Sequence, residues 1–329
     1  MKIRIFILSF LVVFSNCRSF VISSEKADVG TTFSQVQCEY LGLEWRKVCK
    51  TTMGMGFDII RLGAYWNRIE REEGRYDFTE LDWQIELARE KGVPVLLTVG
   101  MKAPRWPEYH IPGWVLDRTR SGRGSDISRE SFLTEKTLDF IRAVINRYKE
   151  SNIIYAWQVE NEPLSRSGPN DWWIDRSFLG KEIELVKKLD NRDRPVAVNA
   201  MTYPNRLLRI LDRLRHKRDP VLEVIDMAGF PAVNVYPVIG HRMFGCDLCF
   251  RSGSQERLSY YKIFVEYARS GGKDLWVTEL QAEPWEPGQL VHIHEEKPVT
   301  CTPEDYIETY KELRSIGIDT IMLWGVEYW

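Results

Sequence analysis

The sequence predicts an α/β protein of the (β/α)8 class, a TIM barrel in a single domain. Eight short apolar runs alternate with amphipathic stretches from residue 31 onwards, and such alternation is typical of a parallel sheet. The runs are nearly continuous in Val, Ile and Leu, as expected for strands that are buried on both faces. Eight repeats favour a closed barrel, although 329 residues would also allow two domains.

The strand candidates are runs of four to seven residues. No phosphate-binding glycine motif of the G-x-G-x-x-G or G-x-x-x-x-G-K-[ST] type follows any of them, so the sequence does not favour nucleotide binding. In chain order the eight predicted strands are Thr32–Gln37, Asp58–Gly63, Val93–Val99, Ile153–Val159, Pro195–Ala200, Ala232–Tyr236, Leu275–Thr278 and Thr320–Trp324.

Seven helices are predicted between these strands because their apolar residues recur at a spacing near 3.6. Thr79 and Thr302 can cap two of them, since acidic residues follow each in the first turn. The predicted helices are Glu44–Met53, Thr79–Lys91, Arg129–Glu150, Phe178–Leu189, Asn205–His216, Gln255–Ser270 and Pro303–Ile316. No candidate follows the eighth strand. Either the barrel lacks its final helix, or residues 18–31 or a partner cover that face.

The N-terminus has the pattern of an export signal. Lys2 and Arg4 precede the apolar run Ile5–Phe14, which is too short to span a bilayer as a helix. Cys17 follows this run and resembles the acylated cysteine of a bacterial lipobox, although Asn16 stands where glycine or alanine is usual. The expected product is an exported protein that is lipid-anchored at the cell envelope. Simple secretion, or a periplasmic location, is the alternative.

These patterns define the expected organisation of the chain. Residues 1–17 form the signal, residues 18–30 a short tether and residues 31–329 one (β/α)8 domain. The 45 basic and 47 acidic residues give a net charge of −2, which provides no electrostatic basis for nucleic acid as the main partner. The only membrane attachment expected is the N-terminal lipid anchor.

Five cysteines follow Cys17. Cys38 could pair with Cys49, and Cys246 with Cys249, which leaves one cysteine over. A zinc site would need ligands whose spacing matches no standard zinc pattern, so loop disulfides or free thiols are favoured. The zinc ligands would be Cys246, Cys249, His292, His294 and Cys301. We expect no metal and no organic cofactor.

Carboxylates stand at the ends of two predicted strands, where catalytic residues of such barrels lie. Glu160-Asn161-Glu162-Pro163 follows the fourth strand, and Glu279 follows the seventh. Glycoside hydrolysis requires two such groups. One protonates the leaving oxygen while the other attacks the anomeric carbon or activates water. Their surroundings must separate the two pKa values.

These residues resemble clan A of the glycoside hydrolases, whose members are retaining enzymes on (β/α)8 barrels. Asn161-Glu162-Pro163 and Glu279 carry the resemblance, which covers roughly residues 31–325. The stretch Gln158–Glu162 is similar to family 35 β-galactosidases. Gly56–Leu62, followed by Trp66, Gly74 and Tyr76–Phe78, is similar to families 5 and 42. Lys102–Pro107 is similar to the family 42 loop after strand three. No single family matches throughout.

The resemblance implies a role for each residue. Glu162 would be the acid/base and Glu279 the nucleophile. Asn161 would hold the sugar 2-hydroxyl, and Arg61 would contact the nucleophile and keep it ionised. The pattern departs from family 5 at Asn234, where that family usually carries a histidine.

Aromatic residues complete the implied site. Tyr236 would donate its hydroxyl to the nucleophile, and Trp324 would form the floor beneath the sugar ring. Trp66 belongs to a group of loop tryptophans that could form sugar platforms or could cover the barrel mouth. The others are Trp106, Trp114, Trp172, Trp173 and Trp285.

Two further acids have alternative interpretations. Glu160 stands two residues before Glu162, so it could bind a sugar hydroxyl from the same side of the strand, or pair with a buried arginine. Glu283 is a rival nucleophile, but it lies farther from its strand than Glu279 does.

The sequence therefore predicts a retaining glycoside hydrolase that acts on an oligo- or polysaccharide. A β-linked substrate is implied by the resemblance only, and the oligomeric state stays open. The alternative is a non-catalytic glycan-binding or host-interaction lipoprotein on the same scaffold. The carboxylate pair argues against this alternative, and the missing eighth helix argues mildly for it. A metal-dependent amidohydrolase barrel would need His-x-His after strand one, and residues 31–43 contain no histidine.

Overall fold

A computed structural model describes residues 29–216, 218–243, 245–287 and 297–329. The expected signal at residues 1–17, the lipobox Cys17 and most of the tether lie outside the described residues. The strands are β1 Val29–Thr32, β2 Ile59–Gly63, β3 Val95–Val99, β4 Ile154–Val159, β5 Val196–Met201, β6 Phe230–Val235, β7 Val238–Met243, β8 Cys246–Arg251, β9 Trp276–Gln281 and β10 Ile321–Trp324.

Helices cover the outside of the sheet. They are α1 Gln35–Tyr40, α2 Trp45–Met53, α3 Trp66–Ile69, α4 Thr79–Lys91, α5 Gly113–Leu116, α6 Ser131–Tyr148, α7 Arg176–Leu189, α8 Arg206–Arg213, α9 Pro220–Met227, α10 Ser254–Ser270 and α11 Pro303–Ser315. A short 3₁₀ turn spans Ile127–Arg129. Among the helices described, none is long and apolar enough to cross a membrane.

Eight strands form a closed barrel in which every neighbouring pair is parallel. The order is β1, β2, β3, β4, β5, β6, β9 and β10, and β10 pairs with β1. The predicted fold class is therefore confirmed. Strands β7 and β8 form a separate antiparallel hairpin between β6 and α10, which the sequence reasoning did not predict.

The first strand lies earlier than predicted. β1 spans Val29–Thr32 instead of Thr32–Gln37, so it begins two residues before the expected domain start. The hydroxyl of Ser34 accepts a hydrogen bond from the backbone N–H of Gln37 and caps α1. Residues 35–37 therefore belong to a helix.

The segment after β5 also differs from the prediction. The predicted helix Asn205–His216 is shortened to α8, and α9 is the helix that packs against β5 and β6. Asp219 caps α9 and Pro220 occupies its first turn, which is a recognisable helix start that the prediction missed.

The described cysteines are free thiols, so neither pairing considered from the sequence is present. Cys246 and Cys249 lie three residues apart on the single strand β8, and their side chains therefore point to opposite faces of it. No cluster of potential metal ligands occurs within the described ranges. His292 and His294 fall outside those ranges.

The barrel interior is layered. An apolar floor is formed by Ile59, Leu96, Ala156, Ala197, Ala232, Trp276 and Met322. Two residues further along six of these strands, on the same face, lies a buried polar layer. It consists of Arg61, Thr98, Gln158, Asn199, Asn234 and Thr278. The polar layer separates the floor from the mouth of the barrel.

No helix follows β10 in residues 325–329. These residues pack back onto the barrel mouth instead. Trp329 donates its indole N–H to the carbonyl of Ala282 at 2.8 Å, and its ring contacts Phe57. The carboxyl of Glu327 accepts a hydrogen bond from the backbone N–H of Ser34. The segment thereby joins the first strand region to the seventh barrel strand.

Gly100 at the end of β3 has a positive φ of 119°, and a Cβ atom there would lie 2.2 Å from Oε1 of Glu160. We expect Gly100→Ala to lower the free energy of unfolding by about 3 kcal/mol. Roughly 1–2 kcal/mol comes from the left-handed backbone and the rest from overpacking. Urea unfolding of the full chain measures the loss.

Gly92→Ala is the matched control, because Gly92 has φ +68° but no atom within 4 Å of its ideal Cβ position. We expect it to lose the backbone contribution only. Equal losses in both variants would contradict the contact with Glu160.

Candidate active site

A cavity of about 390 Å³ opens at the C-terminal ends of the barrel strands. Parallel (β/α)8 barrels place their active sites at this end. The lining residues that carry chemistry are Glu108, Asn161, Glu162, Tyr236, Glu279, Trp285 and Trp324. Both carboxylates predicted to be catalytic therefore face one cavity.

Glu279 is held by two donors. Its Oε1 accepts a hydrogen bond from the guanidinium of Arg61 at 2.7 Å, and its Oε2 accepts one from the hydroxyl of Tyr236 at 2.8 Å. All three side chains are buried. Charge-assisted hydrogen bonds of this kind fix the orientation of a carboxylate. The structure thus brings together the three residues that the sequence associated with the nucleophile.

A β-bulge allows Glu279 to reach the cavity. Val233 pairs with Val277, but the next residue, Asn234, pairs with Glu279, so Thr278 is an extra residue in β9. The Thr278 hydroxyl points into the barrel and donates to Oδ1 of Asn234 at 2.7 Å. Side chains of consecutive residues normally alternate across a strand, and a bulge interrupts this alternation. Thr278 and Glu279 can therefore both face inward.

Glu162 lies directly above the polar layer. Its backbone N–H donates to Oδ1 of Asn199 at 2.7 Å, and its carboxyl accepts a hydrogen bond from the amide of Asn234 at 2.6 Å. Burial and the nearby charge of Glu279 raise the pKa of Glu162, while Lys102 and Asn234 lower it in part. A raised pKa keeps a carboxyl protonated near neutral pH, which is the state that a general acid needs.

Asn161 uses its carbonyl oxygen within the protein. Oδ1 accepts hydrogen bonds from Arg61 at 2.6 Å and from Asn199 at 3.0 Å. The amide nitrogen lies on the cavity side, 3.5 Å from Oε2 of Glu108. The side chain is therefore oriented to donate to an acceptor in the cavity, such as a sugar hydroxyl oxygen.

Sequence reasoning missed a third carboxylate, Glu108, which lines the same cavity. Burial raises the pKa of Glu108 to about 8, and the charges of Glu162 and Glu279 act in the same direction, while the Lys102 ammonium lowers it in part. Lys102 Nζ lies 4.0 Å from Glu108 and donates to the carbonyl of Glu162 at 2.7 Å. Glu108 sits in the long loop after β3 with a positive φ of 73°, and no strand-end pattern marked it.

Two tryptophans face the cavity. Trp324 lines it as predicted, and the guanidinium of Arg105 lies 3.9 Å from the centroid of its ring. Trp285 is half exposed and contacts Tyr236, with ring centroids 5.6 Å apart. These rings are apolar surfaces suited to the C–H face of a sugar.

Trp66 does not reach the cavity, contrary to the substrate-binding role expected for it. It is fully buried behind the barrel, stacks on Phe140 with centroids 5.4 Å apart, and donates to Glu70 at 2.7 Å. Its role is packing, because both its ring and its N–H are already occupied.

Glu160 is also placed away from substrate. Its φ of 57° turns the side chain out of the strand alternation, and its carboxyl accepts hydrogen bonds from the backbone N–H groups of Met101 and Lys102 at 2.9 and 2.6 Å. It therefore anchors the loop after β3 that carries Lys102 and Glu108. It binds neither a sugar hydroxyl nor an arginine.

The buried carboxyl of Glu182 on α7 adjoins Glu160. Burial raises the pKa of Glu160 to about 7, and burial together with the charge of Glu160 raises that of Glu182 well above its usual range. Glu182 hydrogen-bonds with Glu160 when one of the two carboxyls is protonated, and among the described residues no other group donates to its oxygens. The pair is therefore stable only while it holds a proton.

Glu283, the rival nucleophile, is paired with other residues outside the cavity. It forms an ion pair with Arg105, which also pairs with Glu327 at 2.6 Å. Glu283 is not among the residues that line the cavity. The geometry favours Glu279.

The closed parallel barrel and the carboxylate pair in its cavity are the features on which the resemblance to clan A of the glycoside hydrolases rests, and this resemblance is confirmed. The family model that matches is glycoside hydrolase family 42, described as beta-galactosidase, over residues 41–175. This range includes Arg61 and Glu162 but ends before Glu279, so the placement of the second carboxylate rests on the geometry above.

Similar proteins are found by sequence and by structure. Beta-galactosidase BgaA of Clostridium cellulovorans is 27% identical over 127 residues, which is 36% of this chain and 19% of that protein. The solved beta-galactosidase from Rahnella sp. R3 gives a TM-score of 0.62 at 15% identity, covering 92% of this chain and 51% of the other. Xylanase 10B from Thermotoga petrophila RKU-1 gives 0.54 at 15% identity, covering 91% and 82%.

The chain thus spans about half the length of the solved beta-galactosidase and aligns with a fifth of BgaA. At these identities the structural likeness establishes the fold. No single family accounts for the whole chain, as the sequence motifs indicated.

The Glu160–Glu182 pair predicts a pH-dependent stability. Unfolded carboxyls release their protons near pH 4.3, whereas the folded pair keeps a proton to higher pH, so the wild type loses stability as the pH rises from about 5 to 8. Glu182→Gln removes one of the two acids. We expect the Tm difference between this variant and wild type to increase as the pH rises across this range. The increase should be about 2–4 °C for each kcal/mol of unfolding free energy that the wild type loses and the variant keeps.

Glu184→Gln, an exposed change on the same helix, is the control and should show no such trend. Thermal unfolding followed by circular dichroism at several pH values makes the comparison. A Tm difference for Glu182→Gln that is independent of pH would contradict the shared proton.

Proposed function

We propose that the protein is a retaining β-glycosidase. The proposal rests chiefly on one arrangement: Glu279 is ion-paired with Arg61 and shares a cavity with Glu162, whose pKa is raised. Two carboxyl groups with different surroundings are what a double displacement needs. The family 42 match over residues 41–175 supports the same class of reaction.

The first step forms a glycosyl-enzyme. A carboxylate oxygen of Glu279 attacks the anomeric carbon while the protonated carboxyl of Glu162 gives its proton to the glycosidic oxygen. The bond between the anomeric carbon and that oxygen breaks, and the aglycone leaves as an alcohol. Raising the pKa of Glu162 favours this step because the acid must be protonated when substrate binds.

The second step releases the sugar. Ionised Glu162 removes a proton from water, the water oxygen bonds to the anomeric carbon, and the ester bond to Glu279 breaks. The sugar leaves with its original anomeric configuration, and both carboxyls return to their starting states. Tyr236 and Arg61 stay bonded to the departing carboxylate. The proposed mechanism needs no metal or organic cofactor.

A β-galactoside is the first substrate to test, since the matched relatives are named beta-galactosidases. The xylanase among the structural neighbours makes β-xylosides the second. Trp285 and Trp324 would pack against the sugar, and Asn161 would donate to one of its hydroxyl oxygens. The natural partner of the site would be an oligo- or polysaccharide.

Azide rescue of two alanine variants tests the assignment. With 2,4-dinitrophenyl β-glycosides, Glu279→Ala should lose turnover, and azide should restore it as the α-glycosyl azide because it takes the place of the nucleophile. Glu162→Ala should be slower by about 10²–10⁴-fold, and azide should trap its glycosyl-enzyme as the β-glycosyl azide. NMR of the products distinguishes the two anomers.

Glu283→Ala is the matched control and should keep the wild-type product without azide. Rescue of Glu283→Ala instead of Glu279→Ala would reverse the assignment of the nucleophile. Saturable glycan binding by wild type, with no hydrolysis across a panel of aryl glycosides and glycans, would support the non-catalytic binding module.

We further propose that the chain is exported and lipid-anchored through Cys17, or otherwise secreted or periplasmic. Support comes from Lys2, Arg4 and the following apolar run. Growth of a bacterial host with an alkyne fatty acid should label the wild type, and Cys17→Ser should abolish the label. A labelled Cys17→Ser variant, or an unlabelled wild type that is still processed, would refute the anchor.

A further inference from the structure

Helix α8 presents an aliphatic face to solvent. Leu207, Ile210, Leu211 and Leu214 recur at positions i, i+3, i+4 and i+7 across this helix and its C-cap, so they lie on one side of it. They are 53%, 48%, 44% and 80% exposed. Together they form an exposed apolar strip that no described element of the protein covers. We refer to these four residues as the α8 face.

The side of α8 that meets the barrel is the more polar one. Leu208 is its only buried residue. Asp212 and His216 are partly buried, and the ring nitrogens of His216 lie 3.0 and 3.1 Å from the carbonyl oxygens of Asp212 and Leu164. A helix on a globular protein normally turns its apolar side to the core. Helix α8 has the opposite orientation.

Positive charge surrounds the α8 face. Residues 205–218 contain six basic residues and one acidic residue, although the whole chain has a net charge of −2. Arg206, Arg213 and Arg215 are exposed beside the aliphatic side chains. The cluster is therefore a local feature and does not reflect the general charge of the protein.

We propose that the α8 face docks on an anionic lipid surface. A short helix with exposed aliphatic side chains and flanking arginines matches the interfacial helices that lie in the headgroup region of a bilayer. The aliphatic groups enter the boundary of the acyl chains, while the long arginine stems let the guanidinium groups reach the phosphates.

A second copy of the chain fits this face less well. Two α8 faces meeting about a twofold axis would bring Arg206, Arg213 and Arg215 of one copy against the same residues of the other. Like charges buried in an interface cost binding free energy, whereas phosphate headgroups would neutralise them. Charge complementarity therefore selects the anionic surface.

Docking at α8 would place the cavity close to the lipid. Met201 and Tyr203 line the cavity, and α8 begins three residues after Tyr203. The surface lies outside the carboxylate site, so this inference does not rest on the proposed hydrolysis. It would add a second membrane attachment to the lipid proposed at Cys17.

Hydrogen exchange of the full chain with lipid vesicles tests the proposal. We expect the amides of residues 206–214 to gain protection with vesicles containing about one-third phosphatidylglycerol, and not with phosphatidylcholine vesicles. High salt should remove most of this protection. A local readout is needed because the apolar N-terminal run could bind both kinds of vesicle.

Co-sedimentation measures how much more protein binds to anionic vesicles than to neutral ones. The variant Leu211→Glu/Leu214→Glu should lower this difference by about tenfold or more. Leu43→Glu/Ile307→Glu, which changes two exposed aliphatic residues elsewhere, is the control and should bind as wild type does. Turnover of a soluble aryl glycoside serves as a check of folding for both variants, and neither should change it.

Three outcomes would overturn the proposal. Equal protection of residues 206–214 on neutral and anionic vesicles would exclude the role of charge. Unchanged anionic binding by Leu211→Glu/Leu214→Glu would exclude the α8 face. Protection that appears without vesicles as protein concentration rises would show that a second copy occupies the face.

Discussion

A buried guanidinium, that of Arg61, is the interaction on which the site depends. It contacts Thr98 on β3, Asn161 beyond β4 and Glu279 on β9, and so joins strands from opposite parts of the barrel. A charge in this position is costly unless it is paired and hydrogen-bonded. The apolar floor beneath the polar layer offers it no partner, so its partners lie beside it and above it. Loss of one partner would leave a charge that the barrel interior cannot solvate.

The polar layer also links the two carboxylates to each other. Asn234 donates to Glu162 and accepts from Thr278, the bulge residue that precedes Glu279. Asn199 bridges the same region, since it accepts from the backbone of Glu162 and donates to Asn234. A shift of either carboxylate would therefore disturb the hydrogen bonds of the other. The same proximity lets the charge of Glu279 raise the pKa of Glu162, so position and protonation state have a common origin.

The parts of the site that could be predicted are those that strand periodicity controls. Glu162, Tyr236, Glu279 and Trp324 lie at or just beyond the ends of predicted strands, and the rule that sites lie at these ends located them. Arg61 came from the family resemblance, and in the structure it lies in the middle of β2. Backbone geometry that leaves no clear mark in the sequence controls the rest. Strand alternation suggested that Glu160 binds a sugar hydroxyl or pairs with a buried arginine, but with a positive φ its carboxyl accepts from the backbone N–H groups of Met101 and Lys102 instead. Glu108 lines the cavity because the loop after β3 carries it there, and the path of this loop depends on another positive φ. The spacing of residues in the sequence does not reveal that path.

Helix α8 shows a second limit of periodicity. The spacing of its apolar residues identifies a face but not what that face contacts. In the structure α9 packs against β5 and β6, and its own capping residues make it a separate helix. With the barrel already covered, the aliphatic face of α8 has no core to bury itself in. An amphipathic pattern that is not used in the core then indicates a binding surface, as proposed for the α8 face. The arginines around this face require that the surface to which it binds be anionic.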